Sequence, residues 1–181
     1  MMFNLIIRLE QLRGLIAGWI ALLLLSLGVA LYSQHGLGMM PCPWCVIQRL
    51  FMLLCLGLSF LMLSSVRIPI AMLAPAFAQF LLQCAGMAAA IYQALVASQD
   101  SQCVMGLADR LLMASGLEQA WPWMFAASTS CAEAAQAKLF GLSFPWLGFA
   151  LFFVGAICSM VCIGLSLRAS FSPLMKDRPI P

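Results

Sequence analysis

Four of the eight cysteines have a spacing that suits thiol–disulfide exchange. Cys42 and Cys45 form a Cys-x-x-Cys pair, and Cys103 and Cys131 form a second pair farther along the chain. A thiolate attacks a neighbouring disulfide and passes two electrons by doing so. Two such pairs near each other therefore predict a protein that relays electrons from one disulfide to the next.

The residues around the Cys-x-x-Cys pair indicate the start of a helix. Pro43 suits the first helical position, where its missing N–H costs nothing. This makes Cys42 the N-cap and places Cys45 in the first turn, where the positive end of the helix favours a thiolate. Arg49 follows Cys45 by four residues and lies on the same helix face. We expect Arg49 to stabilise a thiolate or an anionic ligand there.

The composition places these residues in a membrane protein. Of the 181 residues, 64% are hydrophobic and 8% are charged, whereas soluble domains are about 25% charged. This excludes an ordinary soluble enzyme and a disordered adaptor, and a net charge of +3 is too small for a nucleic-acid binder. Four apolar stretches reach the length of a membrane-spanning helix: residues 14–32, 46–66, 71–97 and 145–167.

We therefore predict an all-α membrane protein. Residues 1–181 would form a single domain, a four-helix transmembrane bundle with a short outer loop at 33–45 and a long outer loop at 98–144 that carries short interfacial helices. The first apolar stretch also fits a cleaved signal peptide. That alternative is weaker, because the apolar run is too long and no Ala-x-Ala-like site follows it.

The Lys and Arg residues predict the orientation of the bundle. With four spans, six of them fall on one side, which the positive-inside rule makes cytoplasmic: Arg8, Arg13, Arg67, Arg168, Lys176 and Arg178. Both termini are then cytoplasmic. The two cysteine pairs lie on the outer side, in keeping with an oxidising compartment.

Other interpretations of the site residues remain open at this point. Arg49 can extend along the membrane surface to the lipid headgroups, as arginines near span ends do. The Cys42 and Cys45 pair can be a structural disulfide or half of a metal site. A Cys103–Cys131 disulfide can be a structural crosslink that closes a loop. The helix start, with Cys45 and Arg49 on one face, favours redox chemistry.

The long loop contains two predicted helices. Ser130-Cys131-Ala132-Glu133 is a capping box, which puts Cys131 at the first helical position and stabilises its thiolate. We expect this helix to run to about Phe140, with Gly141 at its end. An amphipathic helix on the membrane surface, ended by Gly116, is predicted from apolar residues at helical spacing: Val104, Leu107, Ala108, Leu111 and Leu112.

Residues Trp121–Phe125 are predicted to be a non-helical aromatic patch that contacts lipid or the bundle. The remaining four cysteines fall within the predicted spans, where we expect unreactive packing residues: Cys55, Cys84, Cys158 and Cys162.

The pair at the membrane edge must pass its electrons to another group. The chain has one histidine, His35, and neither a Cys/His cluster nor a Gly-rich nucleotide motif, so haem, iron–sulfur and nucleotide cofactors are not supported. A lipid-soluble quinone is the acceptor that fits best, and no metal is expected.

Taken together, these motifs resemble the DsbB family of bacterial disulfide bond formation proteins. The residues that carry the resemblance are Pro41-Cys42-Pro43-Trp44-Cys45-Val46-Ile47-Gln48-Arg49, Cys103, Ser130-Cys131-Ala132-Glu133, Phe140-Gly141-Leu142 and Pro145-Trp146. The similarity covers essentially the whole chain.

The resemblance implies a thiol:quinone oxidoreductase of the bacterial inner membrane. A reduced periplasmic DsbA-like oxidase would attack the loop disulfide and form a mixed disulfide with Cys103. Cys131 would then attack Cys42, and Cys45 would become the thiolate that faces ubiquinone or menaquinone, assisted by Arg49. The respiratory chain would reoxidise the quinol.

The chain departs from the family at one position. Some members carry a histidine near the outer end of the third span, whereas residues 91–94 here read Ile-Tyr-Gln-Ala. No residue of this chain is therefore given the role of that histidine, and His35 is expected to be a plain interfacial residue.

Three rival interpretations fit the sequence less well. Met39, Met40, Cys42 and Cys45 offer soft ligands for copper(I), but Arg49 would repel a cation. A non-catalytic four-helix scaffold would contain two inert disulfides. In enzymes like vitamin K epoxide reductase the membrane-edge pair follows the loop pair, whereas here it comes first.

Overall fold

The structure is a computed structural model that describes residues 2–99, 106–139 and 141–176. Cys103 and Val104 lie outside the described residues, as do Phe140 and Arg178.

Four long helices make up most of the chain: α1 (Met2–His35), α2 (Pro43–Ser64), α3 (Pro69–Tyr92) and α8 (Phe144–Lys176). Four segments are long and apolar enough to cross a membrane: Glu10–His35 in α1, Pro43–Ser64 in α2, Pro69–Ala97 in α3 and the turn that continues it, and Phe144–Ser170 in α8. The prediction of an all-α four-helix membrane bundle is thus confirmed. Its outer surface carries large apolar side chains from every long helix, such as Leu25, Phe60, Phe77 and Phe153.

The four helices pack as a bundle in which α3 lies between α2 and α8, and α1 packs mainly on α2. At Gly86 on α3, an added Cβ would lie 2.6 Å from the ring of Phe152 on α8. The absence of a side chain at Gly86 therefore allows these two helices to approach closely. Contact between α1 and α8 is much less extensive.

The α1–α2 and α3–α8 connections lie at one end of the bundle, because consecutive long helices are antiparallel neighbours. We call this end the cysteine end, since Cys42, Cys45 and Cys131 lie there. At this end α3 continues into a π-helical turn, Gln93–Ala97, in which the Ser98 N–H donates to the Gln93 carbonyl over 3.0 Å.

The long loop folds into short elements over the cysteine end: α4 (Leu107–Ser115), α5 (Leu117–Ala120), α6 (Pro122–Phe125), α7 (Cys131–Gln136), and the antiparallel strands β1 (Lys138–Leu139) and β2 (Leu142–Ser143). Gly116, with φ of 65°, ends α4 as predicted. Ala108 and Leu112 of α4 are buried, while Leu107 and Leu111 are exposed.

Two local predictions in this loop were wrong. Residues Pro122–Phe125 form a helical turn, because Pro122 takes the first helical position and Trp121 is the N-cap. Helix α7 ends at Gln136 instead of near Phe140. Gly141, with φ of 82°, lies between β1 and β2, so it provides the reversal between two strands and does not end a helix.

Candidate functional site

The Cys-x-x-Cys pair begins α2 as predicted. Cys42 is the N-cap, with φ of −85° and ψ of 166°, and Pro43 is the first helical residue. The two sulfur atoms, Cys42 Sγ and Cys45 Sγ, are 3.1 Å apart. Cys42 is fully buried and Cys45 is half-buried. The helix start therefore holds both sulfurs at the cysteine end, within reach of each other.

Cys131 lies on the other side of Cys42. It is the first residue of α7, and the Ser130 hydroxyl caps this helix by accepting from the Glu133 N–H over 3.2 Å. Helix α7 packs on the π-helical turn, and this brings the Cys131 thiol close enough to Cys42 for the two side chains to interact. Cys42 is thus the central sulfur of three.

The hydrogen bonding in this row of sulfurs makes Cys131 and Cys42 electrostatically different. A hydrogen bond from the Cys42 thiol lowers the pKa of Cys131 below that of an ordinary thiol, even though partial burial and the charge of Cys45 oppose this. The hydrogen bonds with Cys131 and Cys45, together with burial, raise the pKa of Cys42. The arrangement therefore favours a thiolate on Cys131 and a neutral sulfur on Cys42.

Two buried glutamines adjoin the sulfur pair. One of them contacts both sulfurs, and the other contacts the first glutamine. Gln93 Nε2, at the start of the π-helical turn, donates to Cys42 Sγ over 3.2 Å and to Cys45 Sγ over 3.0 Å. Gln48 Nε2 on α2 donates to Gln93 Oε1 over 2.6 Å. Both glutamines are buried. The sulfur pair therefore lies at the end of a chain of amide hydrogen bonds.

Arg49 is held by acceptors from α1 and from the loop. Its Nη1 donates to Gln34 Oε1 over 2.5 Å and to the Met124 carbonyl over 3.0 Å, and its Nη2 donates to the Ala30 carbonyl over 3.2 Å. The residue is only 5% exposed. These contacts hold the guanidinium inside the protein, unlike the alternative in which it extends to the lipid headgroups.

A cavity of about 560 Å³ adjoins these groups, between α1, α2 and α8. One end is lined by Cys45, Gln48, Arg49 and Gln93, and the rest is lined almost entirely by apolar residues. Among these lining residues is Leu25 on α1, which is 65% exposed. The cavity therefore joins Cys45 to the apolar surface of the bundle.

The loop is fastened over the site by further hydrogen bonds. His35 Nε2 at the end of α1 donates to the Trp123 carbonyl over 2.8 Å, and the Ser128 N–H donates to the Pro41 carbonyl over 3.1 Å. Together with the Arg49 bond to Met124, these contacts fix helix α6 and the residues after it against the end of α1 and the start of α2. Trp123 itself is exposed.

The structure brings four of the five predicted site residues together: Cys42, Cys45, Arg49 and Cys131. Cys103, the fifth, lies outside the described residues. Across the described part of the chain, the structure contains no group of three His, Cys, Asp or Glu residues suited to a metal ion.

Gln34, Gln48 and Gln93 belong to the site but were not predicted as site residues. The signal for them in the sequence was an amide side chain inside an otherwise apolar stretch. That signal is ambiguous, because Gln79 and Gln83 show it too and lie elsewhere in the bundle.

Comparison with known families identifies the chain. The family described as "Disulfide bond formation protein DsbB" matches residues 12–162. This match includes α2, α3, the loop that carries Cys131, and parts of α1 and α8. Comparisons with curated proteins and with solved structures found no match. The chain belongs to the DsbB family, whose members are membrane proteins of disulfide bond formation.

Proposed function

We propose that this protein is a thiol:quinone oxidoreductase that reoxidises a periplasmic DsbA-like dithiol oxidase. The observation that carries the proposal is the cavity that connects Cys45 and Arg49 with the apolar surface of the bundle. The overall reaction converts a protein dithiol and a quinone into a protein disulfide and a quinol, so two electrons and two protons move together.

The cavity fits a quinone in size and chemistry. Its volume of about 560 Å³ lies in the range of small-molecule sites. Apolar side chains suit the ring and the isoprenoid tail, while Arg49 and the amides of Gln48 and Gln93 suit the quinone oxygens. When bound, ubiquinone or menaquinone supplies a two-electron acceptor that reaches the site from the bilayer.

The first exchange step takes place at the loop pair. A thiolate of the DsbA-like partner attacks the Cys103–Cys131 disulfide, a new bond to Cys103 forms, and the electron pair of the broken bond leaves on Cys131. The position of Cys131 as the first residue of α7, at the positive end of that helix, supports this residue as the leaving thiolate.

The second step moves the electrons to the membrane edge. The Cys131 thiolate attacks Cys42 of the Cys42–Cys45 disulfide, a Cys42–Cys131 bond forms, and Cys45 leaves as a thiolate. The central position of Cys42 among the three sulfurs supports it as the atom attacked. Cys45, which lines the cavity, is the sulfur that faces the acceptor.

Arg49 acts on the anionic species formed at Cys45 and in the cavity. Its guanidinium lines the same end of the cavity as Cys45. Three acceptors from α1 and the loop hold it there, so the positive charge is fixed in place before the reaction begins.

The proposal includes a location in the bacterial inner membrane, with both termini cytoplasmic and the cysteine end in the periplasm. The six Lys and Arg residues that the sequence places on the side opposite the cysteine pairs support this orientation. An oxidising periplasm is also the compartment in which Cys42, Cys45, Cys103 and Cys131 can form disulfides.

The proposal is tested with purified full-length protein, a reduced DsbA-like protein and a soluble quinone, by following quinone absorbance. Cys45→Ser should abolish quinone reduction, because no thiolate can form at the cavity. Cys84→Ser, a half-buried cysteine outside the site, is the matched control and should keep normal turnover. Normal turnover by Cys45→Ser would contradict the mechanism.

The disulfide pairing is tested separately by peptide mapping of the resting oxidised protein. We expect bonds between Cys42 and Cys45 and between Cys103 and Cys131. A bond that involves Cys55 or Cys84 would contradict the proposed relay.

A further inference from the structure

We propose that Gln93 is a catalytic residue of this site, which stabilises the reduced form of the Cys42–Cys45 pair, and that Gln48 positions it. The inference rests on the proposed function, because it concerns the same sulfur pair. Gln48 lies on α2, and Gln93 lies in the turn that continues α3. These two residues would supply a part of the chemistry that the four cysteines and Arg49 do not explain.

The contact of Gln93 with both sulfurs is the first observation. Its Nε2 lies 3.2 Å from Cys42 Sγ and 3.0 Å from Cys45 Sγ. A primary amide has two N–H groups, so each sulfur can receive one. Gln93 is only 1% exposed, and water therefore competes little for these hydrogen bonds.

The second observation is that Gln48 fixes which end of the Gln93 amide faces the sulfurs. Gln48 Nε2 donates to Gln93 Oε1 over 2.6 Å, so the oxygen of Gln93 is engaged and its NH2 group points to Cys42 and Cys45. Without that donor, the amide could turn and present its oxygen to an electron-rich sulfur, which would be repulsive.

A glycine of helix α8 leaves room for the Gln48 side chain. A Cβ added at Gly148 would contact Gln48 Oε1, so the glycine leaves the space that the amide occupies. The backbone of Gln93 is also special, because it begins the π-helical turn. Such turns are frequent at functional sites, where they redirect one side chain.

The chemistry follows from the charge that develops during the reaction. When Cys131 attacks Cys42, the bond between Cys42 and Cys45 breaks, and its electron pair becomes negative charge on Cys45. An N–H donor binds a thiolate more strongly than a neutral disulfide sulfur. Gln93 therefore stabilises the opened and reduced forms relative to the disulfide, and makes the pair a stronger oxidant.

The experiment measures the redox equilibrium of the pair by itself. In the full-length protein, Cys103→Ser and Cys131→Ser leave Cys42 and Cys45 as the exchanging pair. The protein is equilibrated with reduced and oxidised glutathione, then alkylated, and the state of each of the two cysteines is read by mass spectrometry. The reaction is balanced, since two glutathione thiols reduce the disulfide and become one glutathione disulfide.

Gln93→Leu in this background should lower the equilibrium constant for reduction about tenfold, the size expected for one hydrogen bond to a charged group. Gln93→Glu keeps the shape but removes the donor, and it should shift the equilibrium at least as far. Gln48→Leu should shift it in the same direction and less. Gln83→Leu, which removes a buried glutamine of α3 away from the sulfurs, is the control and should shift nothing.

An unchanged equilibrium in both Gln93 variants would overturn the inference. A shift as large in Gln83→Leu as in Gln93→Leu would also overturn it, because the effect would then be one of general packing. The measurement uses neither quinone nor a DsbA-like protein. If the Gln93 shift appears but the wild type fails to reduce quinone, the proposed function alone is contradicted.

Discussion

Two glutamines of this bundle lie over two glycines of α8, and their surroundings differ. Gln48 lies against Gly148 at the cysteine end, and Gln83 lies against Gly155 two helical turns deeper, where an added Cβ would be 2.5 Å from Gln83 Nε2. Gln48 donates to Gln93 and through it reaches the sulfurs. Among the described residues, neither amide atom of Gln83 has a hydrogen-bond partner.

The cavities near the cysteine end and near the middle of the bundle differ in volume. The cavity beside Gln48 has a volume of about 560 Å³, and the one near the middle of the bundle, lined by Trp19, Ser59 and Gln79, has about 10 Å³. The second is only large enough for about one water molecule. A buried amide in an apolar helix therefore marks a site only where its partner is a reactive group beside a space for a ligand.

Among variants that keep all four site cysteines, Arg49→Ala should have the largest effect on the chemistry at the cysteine end. The variant loses three charged hydrogen bonds and the positive charge beside Cys45, so quinone-dependent turnover should fall about a hundredfold. Turnover is measured with saturating reduced DsbA-like protein, and binding of that partner is measured in parallel.

Partner binding should change little in Arg49→Ala, because the guanidinium is buried. Arg67→Ala removes an exposed charge outside the cysteine end, and as the matched control it should leave turnover normal. Equal losses of turnover and of partner binding in Arg49→Ala would contradict the role of Arg49 in the cavity.

Cys42→Ala should slow alkylation of Cys131 at neutral pH. The hydrogen bond from Cys42 lowers the pKa of Cys131, so without it the pKa rises and less thiolate is present at a given pH. In the wild type, labelling should slow only as the pH falls through the lowered pKa. In Cys42→Ala, the same decline should occur at higher pH.

The measurement is the rate of iodoacetamide labelling of Cys131 in fully reduced protein over a series of pH values. Cys45→Ala serves as the control, because Cys45 raises the pKa of Cys131 through its charge and its removal should not slow labelling. Superimposable pH profiles for the wild type and Cys42→Ala would show that Cys42 does not stabilise the Cys131 thiolate.

The two glycines of α8 provide a matched pair of substitutions. Gly148→Ala places a methyl group against the Gln48 oxygen and should reduce turnover several-fold by displacing the amide that holds Gln93. Gly155→Ala places its methyl group against Gln83 and Trp19. It should cost about 1–3 kcal/mol in the free energy of unfolding, as overpacking does, while the folded protein keeps its turnover.

Turnover and unfolding in detergent are measured for both glycine variants. If Gly155→Ala slowed turnover of the folded protein as much as Gly148→Ala, the Gln48 and Gln83 positions would be equally important for turnover. That result would contradict the contrast between the two depths.

The elements of the fold that depend on local sequence could be predicted. Apolar stretches of sufficient length gave the four helices, and Pro43 and the Ser130 cap gave the helix starts at Cys42 and Cys131. The four-residue spacing from Cys45 put Arg49 on the correct helix face. These features depend on neighbours within one turn of helix, which a single sequence contains.

The contacts between distant segments could not be predicted. The bonds from Arg49 to Gln34 and Met124, and from Gln93 to the sulfurs, depend on how α1, α3 and the loop approach α2. The role of Gly141 also depends on a contact that the local sequence does not determine. A glycine with positive φ serves equally in a helix end or in a reversal between strands, and the pairing of β1 with β2 decides between them.

Gln83→Leu should have the smallest effect, and one of opposite sign. The substitution replaces an amide that has no hydrogen-bond partner among the described residues with an apolar side chain of similar size. Burying an unpaired amide is unfavourable, so the free energy of unfolding should rise by about 1 kcal/mol, while quinone turnover stays normal. The same substitution at Gln93 should impair turnover, because there the amide has sulfur partners. A loss of stability or of turnover in Gln83→Leu would mean that the deeper amide also has a partner, and the contrast between the two depths would disappear.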